Sequence, residues 1–268
     1  MENSVKTLVD EEDHVASGGC ISQQFFASNS AQPKTNYCSQ CGAHKTALCS
    51  KLSGEDLQKF GEKSTHKNFQ PGQMLFNDGD EADCFFTVVS GEVRLSRMLD
   101  DGRRQITGFK AAGDFVGLTS NGLYSADAEA INDVVVCQFT VPVFEKTLED
   151  YAAVQSRLME MMQKEIIDMQ NHMLLLGRKT PVEKIANFLV ERVQKSTVQS
   201  EVSENNNTAE VFLPMSRTDI ADFLGLTIET VSRTITKLRK LDVIELKSFQ
   251  HIVILDFAEL QFLADGDN

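Results

Sequence analysis

The stretch 145–176 constrains the fold more than any other part of this 268-residue chain, because neither glycine nor proline interrupts it. Apolar residues recur along it at spacings of three and four, the pattern of a helix with a single apolar stripe. Most charged residues of the stretch fall outside that stripe. We therefore predict one long helix over residues 145–177 that separates an N-terminal from a C-terminal domain. The stripe consists of Leu158, Met162, Ile166, Met169, Met173 and Leu176.

Two interpretations of this stripe stay open. It can pack against other parts of the same chain, as an ordinary core helix does. Alternatively, the stripe is longer than one small domain can cover, and a second copy pairs with it as a two-helix coiled coil. The second interpretation predicts a homodimer. In that dimer, Glu165 and Asp168 lie near the stripe, so like charges would meet across the seam and keep the dimer marginal.

The region 69–144 has a different character, because short apolar runs alternate with turn-forming sequences such as PG, DGD and SGE. This punctuation predicts about eight strands in a small sandwich or barrel. Ahead of it, Ser53 and Asp56 indicate a capped short helix, and residues 1–36 lack a sustained apolar period. We predict an α+β fold with four parts, namely an N-terminal tail with a cysteine segment, a β-rich domain, the long helix and a C-terminal domain. Their ranges are 1–50, 51–144, 145–177 and 178–268.

The C-terminal domain contains a pair of helices with a fixed spacing. Gly177 is expected to end the long helix, and an amphipathic helix follows from Pro181. Within 216–240, Ala221 is small where two helices would cross. Gly225 supplies the positive φ of a turn, and Val231 fills the crossing point. These offsets of four and ten residues are those of a helix-turn-helix, which a hairpin and a short helix follow.

Capping residues and apolar faces support the same motif. Ser216 and Asp219 form a capping pair for the first helix, and Thr227 caps the second. We expect the second helix to bury one face against the first. The residues expected to face inward on it are Ile228, Val231, Ile235 and Leu238.

The opposite face of the second helix is suited to reading DNA. An arginine can donate to guanine O6 and N7, and a glutamate can accept from cytosine N4. Arg233, Lys237, Arg239 and Lys240 form a local basic patch around Glu229, although the whole chain has a formal net charge of −13 and would otherwise repel DNA. The alternative is a winged-helix module that binds protein. The predicted DNA-binding residues are Arg217, Thr227, Glu229, Thr230, Ser232 and Arg233.

Three cysteines form a second candidate site. Cys38, Cys41 and Cys49 have the spacing C-x2-C-x7-C, and thiolate sites for soft metals usually need four ligands. For the fourth, the residues alone leave Cys20 and Cys137 open, as they leave open zinc and an iron–sulfur cluster. Cys84 is better explained as a small core side chain, and His44 is an additional candidate ligand.

The cysteines also bear on compartment and chemistry. The N-terminus lacks a secretory signal and no apolar run of about 18 residues exists, so we expect a cytoplasmic chain with reduced thiols and no membrane contact. Six cysteines then favour metal binding or redox sensing over disulfides. An enzyme that uses Cys41 as nucleophile and His44 as base is disfavoured, because no orienting acid or oxyanion-hole sequence accompanies them.

Together these segments resemble the oxygen-responsive, FNR-type regulators of the cyclic AMP receptor protein/FNR superfamily. The resemblance runs from residue 38 to about residue 260 and is strongest in "GRRQITGF", "GDFVG", "MLLLGRK" and "DIADFLGLTIETVSR". It implies that 51–144 is a β-roll, that 145–177 is a dimerisation helix and that 178–268 is a winged helix-turn-helix. Glu229, Ser232 and Arg233 match the base-contacting E-x-x-S-R set of that family.

The resemblance also implies a cofactor and partners. The family's ligands fall on Cys38, Cys41, Cys49 and Cys137, and they hold an oxygen-labile [4Fe–4S] cluster. When intact, it favours a homodimer that binds a two-fold TTGAT-type DNA site and mainly activates anaerobic or microaerobic genes through surface loops that contact RNA polymerase. Zinc or a thiol–disulfide switch is the alternative. The best-known members have five residues between the second and third cysteines, and a recognised branch has the seven found in this chain.

Cyclic nucleotides are not expected ligands of this chain. Family members that bind cyclic AMP have an arginine and a serine or threonine after a Gly-Glu of the β-roll. The corresponding stretch, "GDFVGLTSNGLYSADAEA", contains no arginine. Asp127 and Glu129 of this stretch would repel a phosphate.

Overall fold

The computed structural model describes residues 38–117, 119, 121–199 and 207–266. Two 3-10 turns, Cys38–Gln40 and Leu48–Lys51, precede the first helix, α1 (Gly54–Glu62). Ser53 is the N-cap of α1, but its side chain makes no capping hydrogen bond, so the predicted pairing with Asp56 does not form. The prediction for Cys20 lies outside the described residues.

Eight antiparallel strands form the N-terminal domain of the described chain, as predicted for a β-roll. They pack as two four-stranded sheets with the orders β1-β8-β3-β6 and β2-β7-β4-β5. Strand side chains of both sheets are almost fully buried, including Val88, Val93 and Val136. The strands are β1 (Thr65–Phe69), β2 (Met74–Phe76), β3 (Cys84–Ser90), β4 (Val93–Met98), β5 (Arg104–Lys110), β6 (Phe115–Val116), β7 (Asp127–Ala130) and β8 (Val134–Thr140).

The predicted uninterrupted helix is two helices, α2 (Val141–Asp150) and α3 (Ala152–Arg178). Tyr151 separates them with an extended backbone, φ −128° and ψ 92°. Phe144 of α2 and Val154 of α3 are buried in one apolar cluster, whereas a straight helix would hold them roughly 15 Å apart along its axis. The break therefore lets both side chains enter the same core. Gly177 does not end α3, because the helix continues to Arg178.

The C-terminal domain is a winged helix-turn-helix. A three-stranded antiparallel sheet, β10-β11-β9, packs with four helices. Its core also includes Ile106 and Phe109 of β5, so one cluster of buried residues joins this domain to the β-roll. The elements are α4 (Pro181–Gln199), β9 (Ala209–Phe212), α5 (Arg217–Leu224), α6 (Ile228–Lys240), β10 (Ile244–Leu246), β11 (His251–Ile254) and α7 (Phe257–Asp265).

None of the helices in the described residues combines the length and the apolar character required to cross a membrane.

Candidate functional site

The helix-turn-helix has the local geometry that its sequence predicts. Ser216 and Asp219 form a complete capping box at the start of α5, and Gly225 ends the helix in the left-handed region with φ 62°. The Thr227 hydroxyl accepts a hydrogen bond from the Thr230 amide at the start of α6. The prediction for Ile228 is wrong, because at the first position of α6 its side chain lies off the helix crossing and is 44% exposed.

The outward face of α6 is open and basic. Glu229 and Arg233 are exposed, while Thr230 and Ser232 are half-buried. Basic residues occupy the last turn of α6, where the helix dipole favours positive charge. A groove of about 450 Å³ runs along this face and is lined by Ser232, Arg233, Thr236, Lys237 and Lys240.

Glu229 is a charged hydrogen-bond acceptor. Hydrogen bonds from its own backbone amide and from the Thr227 hydroxyl lower the pKa of Glu229, and the nearby charge of Arg233 acts in the same direction. The carboxylate is therefore ionised at neutral pH.

Arg217 links α5, α6 and the β10–β11 hairpin. Its Nη1 donates to Ser232 Oγ at 3.0 Å, and its guanidinium lies over the Phe249 ring at 4.8 Å. The structure thus brings two predicted DNA-binding residues into direct contact. Sequence reasoning missed Phe249, which is 60% exposed beyond β10. The sequence feature that could have identified Phe249 is its position as an aromatic residue in the turn of a predicted hairpin.

The four predicted thiol ligands come from separate elements of the N-terminal domain. Cys38 and Cys49 lie in the two 3-10 turns, Cys41 lies between these turns, and Cys137 lies in β8. All four are half-buried free thiols. Cys38, Cys49 and Cys137 pack at the edge of an apolar cluster that includes Phe60.

The thiols lie close enough together that neighbouring thiols help to raise the pKa of Cys38, Cys49 and Cys137. Burial, with smaller contributions from the neighbouring Cys38 and Cys41 thiols, raises the pKa of Cys49 to about 12. Burial also raises the pKa of Cys137, with added contributions from all three other thiols. The structure therefore brings Cys137 beside three cysteines that lie 88 or more positions earlier in the chain.

The backbone of α1 lies directly against the Cys38 thiol. A Cβ atom added at Gly61 would lie 2.5 Å from Cys38 Sγ, so only glycine allows this approach. His66 of β1 is paired with Cys137 in the sheet register, and its Nε2 lies 3.2 Å from Cys137 Sγ. Sequence reasoning missed His66, because only the strand register places it there. His44 points elsewhere, since its Nε2 donates to the Leu52 carbonyl at 3.2 Å.

The donor set fits a soft metal centre. Within the described ranges, no three His, Cys, Asp or Glu side chains already have metal-coordinating geometry. Four grouped thiols against an apolar wall nevertheless match the ligands that iron–sulfur clusters and zinc prefer.

The segment between Cys41 and Cys49 is attached to the start of α3. Arg157 Nη2 donates to the Thr46 carbonyl at 2.6 Å. Lys51, just after Cys49, forms an ion pair with Glu160 at 3.5 Å. The thiol-bearing segment and α3 are therefore in direct contact.

The predicted apolar stripe of α3 divides into two parts. Leu158 is 7% exposed and packs within its own protomer, so the single-chain core already uses it. Leu176 is partly buried against the C-terminal core. Asp168 is exposed, while Glu165 forms an ion pair with Lys110 at 2.6 Å. The stripe residues that stay exposed are Met162, Ile166, Met169 and Met173, and Met159 extends them by one step.

In the stretch that corresponds to a cyclic nucleotide site, the two acidic side chains already contact other parts of the β-roll. Asp127 Oδ1 accepts from the Asp78 amide at 2.9 Å. Glu129 pairs with Arg94 at 2.7 Å, so its charge is partly neutralised and would repel a phosphate less than predicted.

Comparisons with known families match both domains. Residues 66–151 match the cyclic nucleotide-binding domain, and residues 183–263 match the Crp-like helix-turn-helix domain. The nitrogen fixation regulation protein FixK of Bradyrhizobium diazoefficiens is 38% identical over 87% of this chain and 96% of its own length. The transcriptional activator protein FnrL of Cereibacter sphaeroides is 34% identical over 86% of this chain and 93% of its own.

Solved structures with the same architecture exist. FixK2 from Bradyrhizobium japonicum has a TM-score of 0.67 and 34% identity, covering 75% of this chain and 96% of that one. A variant of CooA from Carboxydothermus hydrogenoformans has a TM-score of 0.69, covering 82% of this chain and 96% of that one. Its 18% identity supports the fold alone.

Proposed function

The chain belongs to the Crp/FNR family of DNA-binding transcription regulators, and on that basis we propose that it is a homodimeric activator whose DNA binding depends on an oxygen-labile [4Fe–4S] cluster. The observation that carries this proposal is the grouping of four thiols beside α3 in a chain that also presents an open, basic face on α6, the proposed reading helix. Its curated relatives are regulators, not enzymes.

Cys38, Cys41, Cys49 and Cys137 would hold the cluster, which supplies an oxygen-sensitive link among these separate segments when bound. The protein's own contribution is to position the thiols and limit access of water. Gly61 lets α1 approach Cys38 closely. Phe60 and Phe139, whose rings are 4.9 Å apart, support the apolar wall.

Homodimer formation brings the two reading helices into register with DNA. Family members are homodimeric, and the exposed stripe of α3 offers an apolar seam for a twin helix. The recognition helices of such dimers are set about one DNA turn apart, so they read a two-fold site. We propose that Arg233, Glu229 and Ser232 contact base edges of a TTGAT-type half-site, and that Arg217, Thr227 and Thr230 support them.

The remaining partners follow from this role. We propose RNA polymerase as the protein partner of an activator in the cytoplasm. A cyclic nucleotide is not proposed as the effector, because Arg94, the arginine nearest to Glu129, is paired with Glu129 and Asp219.

A gel-shift titration on a two-fold TTGAT duplex tests the DNA-binding part. Arg233→Ala should weaken binding by at least about tenfold, because it removes a base contact in each half-site. Arg97→Ala, which removes the same charge from β4, should stay close to wild type. An Arg233→Ala protein that binds as tightly as Arg97→Ala would contradict the assigned reading face.

A further inference from the structure

Four charged side chains join the β-roll to the first helix of the helix-turn-helix. Arg94 Nη1 donates to Asp219 Oδ1 at 2.9 Å, and Arg104 Nη2 donates to the same oxygen at 2.6 Å. Arg104 Nε also donates to Asp222 Oδ2 at 2.9 Å. The arginines belong to β4 and β5 and the aspartates belong to α5, so these ion pairs connect two domains.

The two oxygens of the Asp219 carboxylate have separate partners. Oδ2 accepts from the Ser216 amide at 3.0 Å and from the Ser216 hydroxyl at 2.7 Å, which caps α5. Oδ1 accepts from the two arginines. Burial raises the pKa of Asp219, but the hydrogen bonds from Ser216 and the charges of Arg94 and Arg104 outweigh it and leave the pKa below its usual value. The Asp219 side chain is 5% exposed, so solvent screens these pairs weakly.

Contacts at Phe223 hold α5 beside the ion pairs. The Phe223 ring contacts Phe109 of β5 and His172 of α3, with centroid distances of 5.2 and 4.2 Å. Gln105 Nε2 donates to the Phe223 carbonyl at 3.3 Å. Packing and charge therefore specify the same orientation of α5.

Strand β5 connects the ion pairs at α5 to α3, the proposed dimerisation helix. Arg104 is its first residue and Lys110 is its last. Lys110 Nζ donates to Glu165 of α3 at 2.6 Å. Seven residues of extended strand span roughly 20 Å, so β5 holds α3 at one end and α5 at the other.

We propose that Arg94, Arg104, Asp219 and Asp222 form a positioning latch that sets the separation of the two reading helices, and thereby the half-site spacing that the dimer accepts. This inference rests on the proposed function, since it requires a dimer that reads two-fold DNA. The reading helix α6 moves together with α5, because Ala221 and Val231 are buried where α5 and α6 meet. Each base pair inserted between half-sites moves them apart by about 3.4 Å and rotates them by about 35°.

The test measures spacing preference with the full chain purified anaerobically. The probes are a duplex with two inverted TTGAT half-sites about one DNA turn apart and the same duplex lengthened by one or two base pairs. In Arg104→Gln and Asp222→Asn, the preference for the original duplex should fall by about tenfold, a size typical of coupling between sites. Arg103→Gln is the matched control, because Arg103 pairs with Asp101 in its own turn. It should keep the wild-type preference within about twofold.

The two test variants change net charge in opposite directions, which separates the latch from plain electrostatics. A latch predicts that both relax the spacing preference. Electrostatics alone would weaken binding in Arg104→Gln and strengthen it in Asp222→Asn on every duplex equally, and that result would overturn the inference, as would an unchanged preference in both. If wild-type protein binds none of the duplexes, the proposed function fails as well.

Discussion

Gly61 lies so close to the Cys38 thiol that no side chain fits between them. A Cβ atom there would meet Cys38 Sγ at 2.5 Å, whereas a Cβ atom at Gly42 would meet nothing within 4 Å. We predict that Gly61→Ala displaces the thiol and weakens iron retention by on the order of tenfold, as losses of metal-site neighbours do. Iron and acid-labile sulfide per chain, measured after anaerobic gel filtration, give the answer.

Gly42→Ala is the matched control, because it adds the same methyl group next to Cys41 without a contact. It should retain wild-type iron. Alanine is a better helix former than glycine, so a loss in Gly61→Ala cannot come from a weaker α1. Equal iron content in the two variants would contradict the assignment of Cys38 as a ligand.

Residue roles were predictable where they depend on sequence neighbours. The caps at Ser216 and Thr227 and the positive φ of Gly225 follow from local chemistry, and the structure contains all three. The contact of His66 with Cys137 spans 71 residues, and that of Arg104 with Asp222 spans 118. Such pairs depend on strand register and domain packing, which no local pattern encodes.

At the scale of elements, α3 presents an apolar surface that its own protomer leaves open. Ile166 and Met173 are 54% and 70% exposed, and the exposed stripe keeps the alternating three and four spacing of a coiled-coil seam. Asp168 lies on the same exposed stretch. Glu165, by contrast, is paired with Lys110. Of the two carboxylates predicted to oppose pairing, only Asp168 forms no such ion pair among the residues that the structure describes.

We predict that Asp168→Ala strengthens the dimer in air by about fivefold, because it removes like charges near the seam. Sedimentation equilibrium of air-exposed protein measures this change. Glu149→Ala removes the same charge from α2 and should leave the dimer constant unchanged. If both variants dissociate as readily as wild type, like-charge repulsion is not what keeps the aerobic dimer marginal.

Element types were predictable for most of the described chain. Turn punctuation indicated eight strands, and the apolar period indicated α4, α5 and α6. The break at Tyr151 was not predictable, since no glycine or proline marks it. It arises because Phe144 and Val154 share a tertiary core. The same core removes Leu158 from the stripe that the helical period alone had assigned to a dimer.

At the scale of the whole molecule, α3 receives contacts from both functional parts. The thiol segment contacts it through Arg157 and the Thr46 carbonyl. The reading domain contacts it through His172 and Phe223. A change at the thiols can therefore bias dimer pairing and reading-helix position together, which needs a shift of only a few kcal/mol in a two-state equilibrium.

The two domains and their order were predictable, but their docking was not. The ion pairs of Arg94 and Arg104 with α5 depend on how β4 and β5 face the C-terminal domain. The sequence pattern places the two arginines in the β-rich region, but it does not indicate which residues they pair with. The identity of the cofactor was not predictable from the cysteines alone, since four thiolates suit zinc as well as an iron–sulfur cluster.

The most direct test of the account is an absorption spectrum of anaerobically purified protein, recorded during exposure to air while binding to the two-fold TTGAT duplex is followed in parallel. We predict a brown protein with a broad visible band, and we predict that the band and the DNA binding are lost together in air. A colourless protein would contradict the cluster, as would DNA binding that persists after the band has bleached.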